Sequence, residues 1–271
     1  MQYVQQFTPA FLLLQQEGHL MSTCLATGLT ELRAAHVHNK GAFYSSLFNL
    51  SIGLERLLKS IVVIEHMIRN NLIPPSKKQL KQYGHDISEL YDKSVEIGLN
   101  HSNKVPERNG LHEIEQETIR LLSEFAQTSR YHNLDALSNQ SKFDDPLMHW
   151  NNIIMNILET DVTKHQKEKV LNQARSVAGA IEENTATIMQ GLDKSSLSTV
   201  QALALPGLHE QASKFAVYRI IKIISPLRDL ISELSHYAYK YPNKNPFPQM
   251  QKFLEWIWND RQYVLRKRKW P

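Results

Sequence analysis

The sequence predicts an all-α protein, and three observations carry that prediction. Apolar residues recur every three or four positions along most of the chain. Runs that alternate apolar and polar are nearly absent. The 10 glycines and 11 prolines are sparse and sit between the periodic segments. The stretch that organises the rest begins at Gly41, GAFYSSLFNLSIGLERLLKSIVVIEHMI. Phe43, Leu47, Leu50, Leu54, Leu57, Ile61, Ile64 and Ile68 mark one helical face, and Phe48, Ile52, Leu58, Val62 and Val63 fill its flanks. A helix apolar on most sides is a central rod packed by neighbours. The charges of its middle are Glu55, Arg56 and Lys59, with Glu55 and Lys59 four apart in the favourable order to pair on a wet edge.

The other elements follow in order. Thr8-Pro9 suits the start of a short helix, Thr as N-cap and Pro at the first helical position, docked by Phe11, Leu12 and Leu14. A first long helix spans about Leu20 to His36, burying Met21, Cys24, Leu25, Leu29 and Leu32, and 38–41 turns the chain into the antiparallel rod. Pro74-Pro75 stops the rod by removing two donors and forcing the preceding residue out of the helical region. A Lys-rich connector leads to Gly84-His85-Asp86, where Asp86 is an N-cap and Glu89 completes a capping box. Leu90, Val95 and Leu99 continue a short helix, followed by a polar loop over 100–110.

A helix over 111–130 points Leu111, Ile114, Ile119, Leu122 and Phe125 inward and breaks over 130–135. Asp144-Asp145-Pro146 opens the next, which buries Leu147, Trp150, Ile153, Ile154, Ile157 and Leu158. Over about 161–191, Val170, Ala174, Val177, Ile181 and Ile188 form a narrow seam, which suits a hairpin packing on its neighbour or a dimerising coiled coil. A Ser/Ala/Leu linker over 195–206 precedes the last long helix, Leu208 to about Tyr239, kinked or interrupted at Ser225-Pro226. Pro242, Pro246 and Pro248 make a stiff turn before a final helix with Phe253, Trp256, Ile257 and Val264. The expected division is a bundle with an N-terminal extension over 1–190 and a helical extension with a basic, aromatic tail over 195–271.

Composition bounds the function. With 271 residues and 42% hydrophobic content the chain can build one large or two modest cores. Mean hydropathy is −0.39, and no apolar run approaches the length of a membrane span. PAFLLL is too short for a signal peptide and has no basic residue before it. The lone Cys24 excludes an internal disulfide, so a cytoplasmic protein is expected. Zinc-finger and HExxH spacings, Gly-rich phosphate loops and GxSxG are all missing, so neither a metal nor a cofactor is expected.

Three pieces, taken in order, carry a resemblance. They are Gly53-Leu54-Glu55-Arg56-Leu57-Leu58-Lys59 on the rod, Pro74-Pro75, and Gly84-His85-Asp86-Ile87-Ser88-Glu89-Leu90. Together they resemble the HEPN family of prokaryotic helical domains over roughly residues 20–160. Arg130-Tyr131 is similar to the Arg-Tyr that closes the third bundle helix of many members. The resemblance implies an up-and-down bundle of four or five helices that usually dimerises. It also implies metal-independent endoribonuclease activity of the toxin–antitoxin or phage-defence kind, carried by an Arg-x(4–6)-His motif. Members without that motif act as partners of nucleotidyltransferases or as binding modules.

The literal match here, Arg33 and His38, ends the first helix, where the family does not place the motif. Arg130 and His132 are better placed but closer together than the motif requires, and Arg108 and His112 are one residue short of it. Metal-free RNA cleavage needs a group to take the 2′-hydroxyl proton and cations to stabilise the phosphorane. Histidine and arginine supply these.

Arg130 and His132 are therefore the first catalytic candidates and Arg33 and His38 the second. Glu55, Lys59, His85, Asp86 and Tyr131 are groove or structural candidates. His85-Asp86 reads either as a His–carboxylate contact beside a ligand groove or as a cap and packed turn. Arg130 reads equally as a cap for its own helix. Arg266, Lys267, Arg268 and Lys269 can contact phosphates while Trp270 and neighbouring aromatics stack on bases, or can simply complement the last helix dipole.

The expectation is a HEPN-like endoribonuclease, or a diverged relative, of a bacterial defence or toxin system. It would act as a homodimer on RNA, with a cognate antitoxin or defence protein as partner and no membrane contact. The alternative is a non-catalytic helical adaptor for a protein, nucleotide or nucleic acid.

Overall fold

The computed structural model describes residues 7–127, 129–138, 144–181, 185–241 and 246–271, with the Arg130 side chain outside that description. Ten α-helices follow one another among these residues: α1 Pro9–Ala34, α2 Lys40–Arg69, α3 Lys77–Gln82, α4 Ile87–Leu99, α5 Glu113–Gln127, α6 His132–Leu137, α7 Pro146–Thr160, α8 Lys164–Ile181, α9 Thr199–Tyr239 and α10 Arg261–Arg266. The chain is all-α, and its β pairing among the described residues is one isolated bridge between Gln190 and Ser196. No helix of the described residues is long and apolar enough to cross a membrane.

Two long helices set the frame. α1 and α2 form an antiparallel pair held close by reciprocal glycines. Gly28 lies under Leu50 and Gly53 under Leu25. α9 is the second axis and packs on α1, α2, α5, α7, α8 and α10. One buried cluster runs from Leu14 in α1 through α2, α4, α5, α7 and α9 to Val264 and Trp270. The division at 190–195 therefore does not separate two cores.

Several boundaries differ from the sequence expectation. α1 is one helix from Pro9, capped by Thr8, whose hydroxyl accepts from the Phe11 N–H at 3.1 Å. Gly18 does not break it because the Phe253 ring occupies the space a side chain would fill. Leu14 docks this start, whereas Leu12 and Leu13 stay exposed. α2 ends before its prolines. Asn71 (φ 53°) and Leu72 (φ 62°) turn left-handed, and the Leu72 N–H donates back to the Met67 carbonyl at 2.7 Å. The Lys-rich connector contains α3, started by a Ser76–Gln79 capping box.

Leu99 ends α4 and is exposed, and residues 130–135 continue as a 3-10 turn and α6 instead of a break. α7 is capped by Asp145 and buries all six apolar residues read for it. In α8 the buried positions are Ala174 and Ala178, while Val177 is exposed and Ile188 lies beyond the helix, also exposed. The small seam lets α8 lie on α9, with Val170 against Gly207.

The linker of 195–206 is largely helix. Ser198 and Gln201 form a capping box, and α9 then runs through Pro206 and Pro226. Each proline removes one helical hydrogen bond, and burial on both sides of them keeps the helix going. Pro242 lies outside the described residues, and Pro246 and Pro248 precede a 3-10 turn, Met250–Leu254. The expected final helix is thus split into that turn and α10.

Candidate functional site: a groove along α2

The outer side of α2 is left partly open. α1 walls it on one side, the α2–α4 connector on the other, and the end of α5 closes one corner. The resulting groove holds about 990 Å³. Its α2 residues run from Ile52 through Glu55, Arg56, Lys59, Ser60 and Val63 to Met67, one stripe at helical spacing. At 1.5 Å per residue that stripe is about 22 Å long. Leu13, Leu14, Pro74, Pro75 and Leu80 make the walls largely apolar.

The polar groups of the groove are paired with one another. Glu55 Oε1 accepts from Lys59 Nζ at 2.7 Å and meets His85 Nδ1 at 2.9 Å. The Glu55 side chain is 17% exposed and that of His85 71%, so a fixed carboxylate holds an open imidazole. Arg56 pairs with Glu17 across the α1–α2 seam. Asp86 turns into the start of α4. Its Oδ1 accepts from the Glu89 N–H at 3.1 Å and the Ser123 hydroxyl at 2.8 Å, and its Oδ2 accepts from Gln127 at 3.0 Å. Burial opposes its ionisation, but these bonds outweigh burial and hold its carboxyl below the usual range.

Glu55, Lys59, His85 and Asp86 therefore all line one groove, and the carboxylate that touches His85 is Glu55, thirty residues away. Asp86 acts as the cap, with Ser123 of α5 adding the tertiary half of that arrangement. Tyr131 and His132 lie beyond the α5 corner, in the 3-10 turn and at the start of α6. α6 is tied to α2 by Asn133, which donates to the Tyr44 hydroxyl at 3.0 Å. The Arg130 side chain falls outside the described residues.

Arg33 and His38 face different neighbours. Arg33 donates to the Lys267 carbonyl at 3.1 Å and to the Ser213 hydroxyl at 2.8 Å. His38 lies in the α1–α2 turn, where its backbone N–H donates to His36 Nδ1 at 3.2 Å. Trp270 is buried, with its backbone N–H donating to the Thr30 hydroxyl at 3.0 Å, which corrects the expectation of a free stacking ring. Arg268 pairs with Glu210 at 2.6 Å, Lys267 is half-buried, and Arg266 and Lys269 are exposed.

Sequence reasoning missed Glu17, Arg56 as its partner, and the aliphatic walls. The α2 stripe was available at i, i+3, i+4 and i+7, but nothing in one helix says which face a neighbour leaves bare. Among the described residues no group of His, Cys, Asp and Glu is arranged to hold a metal ion.

Compared with protein-family models, with curated proteins and with solved structures, the chain matches none.

Proposed function

We propose that the chain is a diverged HEPN-like protein working as a non-catalytic helical adaptor, whose groove along α2 takes one amphipathic helix of a partner protein. The supporting observation is the stripe from Ile52 to Met67, which lines the groove between apolar walls for about 22 Å, part-exposed at Ile52, Glu55, Arg56, Lys59 and Val63 and buried at Ser60 and Met67. That length suits about four turns of an incoming helix, which would lay its apolar face between the walls made by Leu13, Leu14, Pro74 and Leu80. The rim charges of both signs, Glu17 with Arg56 and Glu55 with Lys59, are satisfied within the chain and stay in water at the rim. Panning a library of helical peptides of about 16 residues against the full chain tests this. The expected binders carry apolar residues at helical spacing and lose affinity for Leu13→Glu and Val63→Glu variants that keep their helical circular dichroism. Binders indifferent to both substitutions, or none at all, would sink the reading.

A second reading rests on the His85–Glu55 contact. A carboxylate on Nδ1 orients the ring and leaves Nε2 to accept a 2′-hydroxyl proton, while Lys59 and Arg56 are cations for the phosphorane. These are the residue types of a metal-independent endoribonuclease of a toxin or defence system. Incubating total RNA with purified protein in EDTA separates the cases. Cleavage lost in His85→Ala would site it in the groove. Cleavage lost instead in Arg130→Ala and His132→Ala would site it at the α5–α6 corner. No cleavage by the wild type leaves the adaptor reading alone.

A further inference from the structure

The carboxy-terminal tail folds back onto the body of the molecule. Val264 and Trp270 are buried, Arg33 of α1 holds the Lys267 carbonyl, and Thr30 accepts from the Trp270 N–H. This return brings together cations from three distant segments. Arg33 comes from α1, Lys214 from α9, and Arg261, Lys267 and Arg268 from α10 and the residues after it, with the exposed Arg266 and Lys269 next to them in sequence. Lys214 and Arg261 share the Phe215 ring, at 5.3 and 5.7 Å from its centroid.

Counter-charge is scarce on this face. Among the described residues, one ion pair joins the cluster to a carboxylate, Arg268 with Glu210. Asp260 is used as the cap of α10, accepting from the Tyr263 N–H at 2.6 Å. The cations consequently feel one another. Burial and then the charge of Arg268 hold the Arg33 guanidinium below its ordinary pKa, and burial and then Arg33 do the same to the Lys214 ammonium. Like charges held this close are relieved by a polyanion, which also releases its counterions.

The shape narrows the class. Arg33 lies half-buried beneath the tail, donating to the Lys267 carbonyl and the Ser213 hydroxyl, so it fixes the tail in place and adds positive charge from below. Tyr263 is 43% exposed inside the cluster, with the Lys267 ammonium 4.8 Å from its ring centroid, so an aromatic face sits among the phosphate-binding groups. That pairing of cations and an open ring is how single strands are held without sequence preference. We propose that the face formed by α1, α9 and α10 binds single-stranded nucleic acid, with Lys214, Arg266, Arg268 and Lys269 on phosphates, Arg33 holding the tail beneath them, and Tyr263 under a base. This interface is independent of the groove along α2.

Fluorescence anisotropy with labelled oligouridine and oligothymidine of about 20 nucleotides, across a salt series, tests the proposal. Wild type is expected to bind, with affinity falling steeply as salt rises. The Arg266→Gln/Lys269→Gln double variant, changed at exposed positions, is expected to fold normally and to flatten the log–log salt slope by about 1.4, since each single-strand phosphate contact contributes about 0.7. Tyr263→Ala is expected to weaken binding at least about fivefold with the slope kept. Arg120→Gln, changed at an exposed position of α5 outside both surfaces, is expected to change neither. Preference for RNA over DNA would add contacts to the sugar. The proposal is overturned by no oligonucleotide binding, by binding insensitive to these tail variants, or by sedimentation with phosphatidylserine vesicles in place of oligonucleotide binding.

Discussion

His209 shows how one buried side chain sets a pH response. It is 2% exposed on α9, lies edge-on to Phe43 with ring centroids 5.8 Å apart, and its Nδ1 has no hydrogen-bond partner. Burial, then the charges of His36 and His38, push its pKa down to about 4. An unfolded histidine titrates near about 6.5. As pH falls, the unfolded chain therefore takes up the proton first. The contribution of His209 to stability is complete above about pH 6.5 and is lost between there and about 4, to a total of about 3 kcal/mol. Urea unfolding at neutral pH and near pH 5 checks this. His209→Gln, which does not titrate, should show a shallower acid loss, and an unchanged profile would place the acid sensitivity elsewhere.

Arg219 is the complementary case, a charge kept inside by its partners. It grips Asp161 with two bonds, 2.6 and 3.0 Å, and reaches Glu115 at 3.3 Å. Glu115 is 2% exposed and also accepts from Lys222 at 2.9 Å. The network ties α9 to the end of α7 and the start of α5. Arg219→Met leaves buried carboxylates under-paired and should cost about 3–5 kcal/mol in denaturant unfolding. A neutral result would show that the pairing gives no net stability. The Glu55–Lys59 pair was legible from its spacing within one helix. Arg219 was not, because its partners are 58 and 104 residues away in sequence.

At the scale of elements, the α1–α2 pair is decided by the absence of two side chains. A Cβ at Gly53 would sit 2.8 Å from the Leu25 side chain and 2.9 Å from its backbone nitrogen, so α1 would have to move away. Alanine gains up to about 1 kcal/mol of helix propensity over glycine, while overpacking costs about 1–3 kcal/mol. Gly53→Ala is therefore expected to lower the melting temperature. Gly41→Ala, with nothing within 4 Å, should leave it unchanged or raise it. Opposite signs at two helical glycines would distinguish packing from propensity, and a rise at both would refute the close approach. Elements with local signals were read correctly from sequence, as at Asp86 and Asp145, which both cap their helices. α1 and α9 were read as starting later because Gly18 and Pro206 look like breakers locally, and tertiary packing overrides them.

For the whole molecule, the shared core predicts one cooperative unit. Buried residues of α1 and α2 belong to the same cluster as Met250, Leu254, Ile257 and Val264. Far-UV circular dichroism and tryptophan fluorescence should therefore trace a single coincident urea transition. A chain cut after Tyr241 should lose stability and expose the face around Gly18 that Phe253 covers. Two separate transitions would instead establish the carboxy-terminal segment as an independent unit.

The sequence by itself determined the helical class, the central rod, the caps of α4 and α7, and the presence of a basic tail. Each of these depends on residues within a few positions of one another, so spacing alone exposes it. Tertiary structure alone decided that His85 meets Glu55, that Arg56 meets Glu17, that the α2 stripe lines a groove, and that Trp270 turns inward while Arg33 joins the tail. Those outcomes depend on which faces of separate helices come together. Helical periodicity says which face is apolar, and only the packed chain says what covers it.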